Sequence, residues 1–177
     1  MDPFETLGAE PRFDLDLRTL EQRHRDLSRA LHPDRYAGTP AAERRLALGR
    51  AIEVNEAWRV LRDPIRRAEA LLARAGLEVR EDAAPKPSPA LLMDMMEARE
   101  ELSETAKKRD AGKIAALGEA MRRREREALS AVAVGIDGAG GDAERLRAVL
   151  PLIGELRYYR RFLDEVSAIE EDLADAP

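Results

Sequence analysis

The stretch DLRTLEQRHRDLSRALHPD, residues 16–34, decides how this chain folds. Leu17, Leu20, His24, Leu27 and Leu31 recur at spacings of three and four, the period of one helical face, and Asp16 is placed to cap their start. The segment predicts one helix with a buried stripe that ends directly before His32. Arg18, Gln22, Arg25 and Arg29 lie one residue out of phase, about 100° around the helix, as a polar stripe beside the apolar one. The helix thus has a core face and a basic face. His32-Pro33-Asp34 follows where the periodicity stops. Average composition alone would produce such a tripeptide in about 1% of chains this long, so its position before a second helix carries the weight.

That second helix is expected from Thr39 as cap and Pro40 as first residue, where the missing N–H costs nothing. Its apolar stripe is Ala47, Ala51, Val54, Trp58 and Leu61. Asp63-Pro64 repeats the cap-then-proline signal and opens a shorter helix through Ala68, Leu71 and Leu72, closed by Gly76. Upstream, Pro3 to Gly8 can make one helical turn. Downstream, periodicity lapses and Pro85, Pro87 and Pro89 interrupt the chain, which places a linker at 77–89 between units 1–76 and 90–177.

Ser88-Pro89 opens a helix expected to run to about residues 110–112, and another follows from Lys113 through Ile114, Leu117, Met121, Ala128, Leu129 and Val132. Gly135 to Gly141 reads as a glycine-rich connection, with Asp142 capping a last helix that ends near Leu173. Pro151 should kink that helix or divide it into two segments. Three helices with short connections predict an antiparallel C-terminal bundle. Charged residues at 37% with aromatics at 4% agree with an all-α chain.

Composition also excludes function classes. The formal charge of −5 argues against bulk nucleic-acid affinity. Without cysteine there are no disulfides, thiolate metal sites or cysteine nucleophiles, and with only His24 and His32 no metal or cofactor is expected. His24, on the core stripe, reads as a packed and hydrogen-bonded side chain. The glycine-rich stretch lacks the strand before it and the Lys-Ser/Thr after it that a phosphate cradle needs. Arg122 to Arg126, with Glu125 interleaved and no aromatic nearby, reads as a solvated helix face. Met1-Asp2-Pro3 is not the start of a signal sequence, and no apolar run approaches membrane-spanning length, so a cytoplasmic protein without membrane or nucleic-acid partners is expected. A hydrolase built on His32 and Asp34 would lack a nucleophile, so no catalytic residue is assigned.

The first bundle helix carries more apolar surface than one seam uses. Leu91, Met95, Ala98 and Leu102 suffice to face the other helices, which leaves over Leu92, Met93 and Met96 beside Glu97, Glu100, Glu101 and Glu104. In the last helix Leu152, Leu156, Tyr159, Leu163 and Val166 form the seam, with Tyr158 and Phe162 one residue out of phase. A Met-rich patch beside carboxylates suits protein binding. Periodicity alone is equally compatible with a wide core.

Short turn, basic helix, His-Pro-Asp loop, antiparallel helix and short closing helix together resemble the J-domain of DnaJ-type co-chaperones, and residues 54–64, VNEAWRVLRDP, resemble that family's third-helix ending. A narrower likeness follows from LLMDMMEAREEL at 91–102, RAEALL at 67–72 and Leu156-Arg157-Tyr158, which together resemble the HscB family of iron-sulfur cluster co-chaperones. The resemblance implies a J-domain joined to a three-helix bundle that holds an IscU-type cluster scaffold. It implies scaffold contacts at Leu92, Met93, Met96 and Tyr158, with Glu97, Arg99, Glu100 and Glu104 as polar neighbours. Met96 and Tyr158 stand where relatives commonly have leucine and phenylalanine, and His24 replaces a usual aromatic. The resemblance further implies that Arg25 and Arg29 dock on an acidic surface of a DnaK/HscA-type chaperone ATPase, and that His32, Pro33 and Asp34 bias it toward ATP hydrolysis. A generic J-protein with a different client would share the first 76 residues, and a purely structural adaptor would leave the His-Pro-Asp loop without a role.

Overall fold

The computed structural model describes residues 1–77 and 87–175, and among them every regular element is helical. The chain divides into two compact units, residues 1–77 and 78–177. Most of the linker expected at 77–89 lies outside the described residues.

In the first unit, α1 (Pro3–Leu7) is capped by the Asp2 carboxylate and closed by Gly8 in the left-handed region at φ 60°. Helix α2 (Leu17–Ala30) is capped by Asp16, whose carboxyl is held below its ordinary value by the Thr19 hydroxyl and backbone N–H. A 3₁₀ turn (Pro33–Tyr36) leads to α3 (Ala41–Arg62), and α4 (Pro64–Arg74) closes the unit. Phe4, Leu7, Leu20, Val54, Ala57, Leu61, Ala68 and Leu72 form its core.

Two expectations need correction here. Helix α3 begins at Ala41, with Pro40 in the cap position and no side-chain cap, while Thr39 is turned back to the preceding turn: its N–H and hydroxyl both donate to the Tyr36 carbonyl. The apolar stripe of α2 is also only partly buried. Leu20 is in the core, His24, Leu27 and Leu31 are half-buried, and Leu17 is exposed, since α2 packs against α3 and only lightly against α1.

Arg67 is the charged side chain buried in this core. Its guanidinium donates to the Leu61 carbonyl at 2.8 Å and lies 4.8 Å from the centre of the Phe13 ring. Burial lowers its pKa, and the Asp14 and Asp63 carboxylates oppose the shift. Asp63 also caps α4, accepting from the N–H groups of Ile65 and Arg66. Replacing Asp63 by alanine should lower the stability of this unit by about 1 kcal/mol, whereas asparagine should retain most of the cap. Urea unfolding followed through Trp58, the single tryptophan, reads this unit directly.

The second unit is built from α5 (Pro89–Lys107), α6 (Ala111–Ala139), the five-residue α7 (Ala143–Arg147) and α8 (Leu150–Ala174). Helices α6 and α8 make the most extensive pairing and α5 packs on both. Helix α5 ends earlier than expected, at Lys107. Arg109 reverses the chain at φ 53°, and Asp110 caps α6, which starts at Ala111, two residues before Lys113.

The expected glycine-rich connection is mostly helix. Helix α6 continues through Gly135 and ends only at Gly140, because Ile136 and Ala139 bury their side chains. Gly135 is where Val149 approaches: a Cβ there would stand 2.8 Å from Val149 Cγ2. Pro151 divides rather than kinks. Asp142 caps α7, the chain breaks at residues 148–149, and Pro151 occupies the first turn of α8, where its missing N–H costs nothing.

The seam of α8 is also corrected. Ile153, Leu156, Tyr159 and Phe162 are buried, while Leu152 and Leu163 are half-buried. These buried residues step by three, a row that slants across a helix, so the contact surface winds around α8 as its neighbours change. Phe162 therefore belongs to the core and not to an exposed patch.

Candidate functional sites

Each unit exposes side chains that lie outside its core. In the first, α2 delivers the chain to His32, which caps the 3₁₀ turn: its ring Nδ1 accepts from the Asp34 N–H at 3.3 Å. Pro33 occupies the first position of the turn, where its fixed φ is already suitable. The Asp34 carboxylate lies 3.5 Å from the same ring nitrogen and is 90% exposed. The loop is thus a displayed acceptor on a short, internally braced turn.

The orientation of the basic face follows from His24. Its ring stacks on Trp58 with centroids 5.4 Å apart, and Nε2 donates to Asn55 Oδ1 at 2.9 Å. A hydrogen-bonded imidazole here stacks as an aromatic side chain would and holds α2 against α3. Arg25, next in sequence, is turned outward and paired with Glu21 at 2.8 Å and with Gln22 at 3.0 Å, while Arg29 lies 3.7 Å from Asp26. Exposed pairs of this kind are weak, so both guanidinium groups can be re-partnered at small cost.

In the second unit, Leu91, Met95 and Leu102 are buried and Ala98 is half-buried. Leu92, Met93 and Met96 are 38%, 62% and 70% exposed. Arg99 on α5 bonds to Glu165 on α8 at 2.7 Å, and Asp94 on α5 faces Arg124 on α6 at 3.5 Å. Arg124 and Asp94 both act electrostatically on Tyr159 of α8. Residues 94 and 99 of α5 therefore match the region of 159 and 165 of α8, and these two helices run parallel.

Leu92 and Tyr158 each lie seven residues, two turns, before the Arg99–Glu165 pair, which sets them at one level on one flank. Tyr158 is half-buried, with the Arg161 guanidinium 5.9 Å from its ring centre. Glu100 and Glu104 continue outward from Met96, Glu104 lying 3.9 Å from Lys108. Glu97 is placed differently. It lines a groove between α5 and α6 with Asp94, Glu101 and Arg124, and Phe162 lies at its base. Arg99, read from sequence as a contact residue, also ties two helices of its own unit together.

Among the described residues no group of three or more histidine or carboxylate side chains is arranged to hold a metal ion, and no helix is long and apolar enough to cross a membrane.

Residues 87–167 match the family model of the HSCB C-terminal oligomerisation domain. Over 176 residues the chain is 33% identical to the co-chaperone protein HscB homolog of Vibrio vulnificus, covering 98% of this chain and 99% of that one. The chain belongs to the HscB co-chaperone family. The HscB homolog of Bordetella avium is 41% identical over 130 residues, 73% of this chain and 76% of its own. The structure of chaperone HscB from Vibrio cholerae superposes with a TM-score of 0.84 at 30% identity, covering 98% of this chain and 99% of that one. Human co-chaperone HscB shares the fold, with a TM-score of 0.85 at 19% identity over 96% of this chain and 82% of the human one.

The sequence reading of this HscB-family chain missed Asn55, the partner that anchors His24, and two exposed apolar residues of α3, Leu48 and Ile52. Asn55 had no signal beyond its position one turn before Trp58. Leu48 and Ile52 did have one: they lie off the α3 stripe, one turn apart.

Proposed function

We propose that this HscB-family chain delivers an IscU-type iron-sulfur cluster scaffold to a DnaK/HscA-type chaperone and stimulates that chaperone's ATPase, aiding maturation of iron-sulfur proteins. The observation that carries this reading is one chain with two displayed surfaces. One is a basic helix ending in the exposed His32-Pro33-Asp34 turn, and the other is an exposed Leu92, Met93 and Met96 patch with Tyr158 at its level. The first 76 residues act as the J-domain and residues 90–177 as the scaffold-binding bundle. The chain performs no catalysis itself. Proline fixes the turn, and Asp34 offers two acceptor oxygens to an arginine of the partner. Covalent linkage of the two surfaces makes the second binding event intramolecular and raises the effective concentration of client at the chaperone.

Steady-state ATPase activity of a DnaK/HscA-type chaperone, with and without an IscU-type scaffold, tests the reading. Stimulation by the chain should rise further when scaffold is added, and an identical rate with and without scaffold would remove the delivery role. The basic face gives a second test. Arg25→Ala with Arg29→Ala removes the arginines that face Glu21 and Asp26, so the face loses most of its attraction for an acidic surface. At low salt the chaperone should bind roughly tenfold more weakly, and the salt dependence should flatten, because fewer charges remain to be screened. Binding titrations at two ionic strengths decide it, and an unaltered slope would place the docking surface elsewhere.

A further inference from the structure

Leu48 and Ile52 on α3 are 54% and 60% exposed, one turn apart on one face. Neither contributes to the core of its unit. Asn55 marks the edge of α3 that meets α2, since it accepts from His24. Leu48 lies seven residues before Asn55 and so falls on that same edge two turns along, with Ile52 turned about 60° further outward.

On α2 the matching count starts from His24. Arg25 and Arg29 lie about 100° and 140° around from it, toward the same outer side of the helix pair, with side chains 50% and 73% exposed. The two helices run antiparallel. Arg29, five residues after His24, therefore comes level with the part of α3 between Leu48 and Ile52. The outer face of this hairpin is one continuous surface: two arginines from α2, two apolar side chains from α3, and exposed Arg45 one turn before Leu48.

We infer that Leu48 and Ile52 form an apolar docking strip for the DnaK-type chaperone ATPase, whose surface would present an apolar spot bordering its acidic patch; this rests on the function proposed above. Continuity with Arg25 and Arg29 selects the occupant. A second copy of this chain fits poorly, because a face-to-face pair would set Arg25, Arg29 and Arg45 against their own kind. Steering by the arginines and desolvation by Leu48 and Ile52 then divide the work: the charges set the encounter and the apolar strip slows dissociation.

The test uses the full chain carrying Leu48→Gln and Ile52→Gln, which preserve helix propensity. Its control is Leu46→Gln, since Leu46 is as exposed, at 59%, but lies on the other flank of α3, about 120° or more away. Stimulation of a DnaK-type ATPase is titrated at low and high salt. The concentration of the double variant giving half-maximal stimulation should rise about tenfold, about 1.4 kcal/mol. The maximal rate at saturation and the salt slope should stay as in the wild type, and the control should be unaffected.

An unchanged half-saturation point in the double variant would overturn the inference, as would an equal loss in the Leu46 control. So would sedimentation showing that the wild type pairs with itself through this strip while chaperone stimulation ignores the substitutions. Failure of the underlying reading looks different: a wild-type chain that neither binds nor stimulates the chaperone sinks both.

Discussion

A chain carrying Asp34→Asn, or His32→Gln, keeps its helices and loses stimulation of the partner ATPase. Both side chains are exposed, at 90% and 58%, and they contact each other within the 3₁₀ turn. Surface substitutions of this kind change stability by at most about 0.5 kcal/mol. The functional cost is larger by a class. If Asp34 accepts both N–H groups of a partner arginine, asparagine leaves that cation desolvated with one acceptor and no opposing charge, a loss of about 2–5 kcal/mol at an interface. Stimulation should therefore fall to the basal rate at any accessible concentration. Circular dichroism and a steady-state ATPase titration of wild type and both variants supply the measurement. Full stimulation by either variant would remove the His-Pro-Asp turn from the mechanism.

Changing Leu92, Met93, Met96 and Tyr158 together to alanine should lower affinity for an IscU-type scaffold by at least about 2 kcal/mol, the scale on which a few central contacts dominate an interface. The bundle should tolerate the change. Met93 and Met96 are largely in solvent, Leu92 is exposed, and Leu91, Met95 and Leu102 keep the seam closed beneath them. Stimulation of the chaperone by the chain alone should persist, while the increment produced by scaffold disappears. Calorimetric titration of both chains against the scaffold, with melting curves alongside, separates the outcomes. Equal affinities would sink the site assignment, and a collapse of the melting temperature would show that these side chains hold the bundle together.

Much of this molecule is local chemistry and is readable as such. Asp16, Asp63, Ser88 and Asp142 cap helices where a short acceptor precedes an apolar period, because the orphan N–H groups of a helix start lie within three residues of the cap. Where a local rule failed, another local demand had taken the residue. Thr39 serves the preceding turn and does not cap α3, and Asp110 caps α6 although its sequence position suggested a helix end. Glycines misled most. Gly135 and Gly138 sit inside α6 even though glycine disfavours helix interiors by about 1 kcal/mol, because burial of Ile136 and Ala139 around them and the approach of Val149 to Gly135 outweigh propensity.

From sequence alone the chain is all-α, has most of its caps, places His32-Pro33-Asp34 between two helices, and carries an apolar surplus on α5. These depend on spacings of three, four and seven residues, and a helix needs nothing further to set them. Which surplus faces solvent depends on the neighbours. Tyr158 and Phe162 are equivalent by period, four residues apart on α8, yet Phe162 is enclosed between α5 and α6 while Tyr158 remains at the edge. The same holds for Glu97, drawn to the α6 side, and for Arg99, bound to Glu165. Leu48 and Ile52 share a surface with Arg25 and Arg29 only because His24 locks α2 to α3 in one register. Burial and adjacency are properties of pairs of helices, and the slant of an i+3 row or the level of an antiparallel partner is fixed only when the second helix is in place.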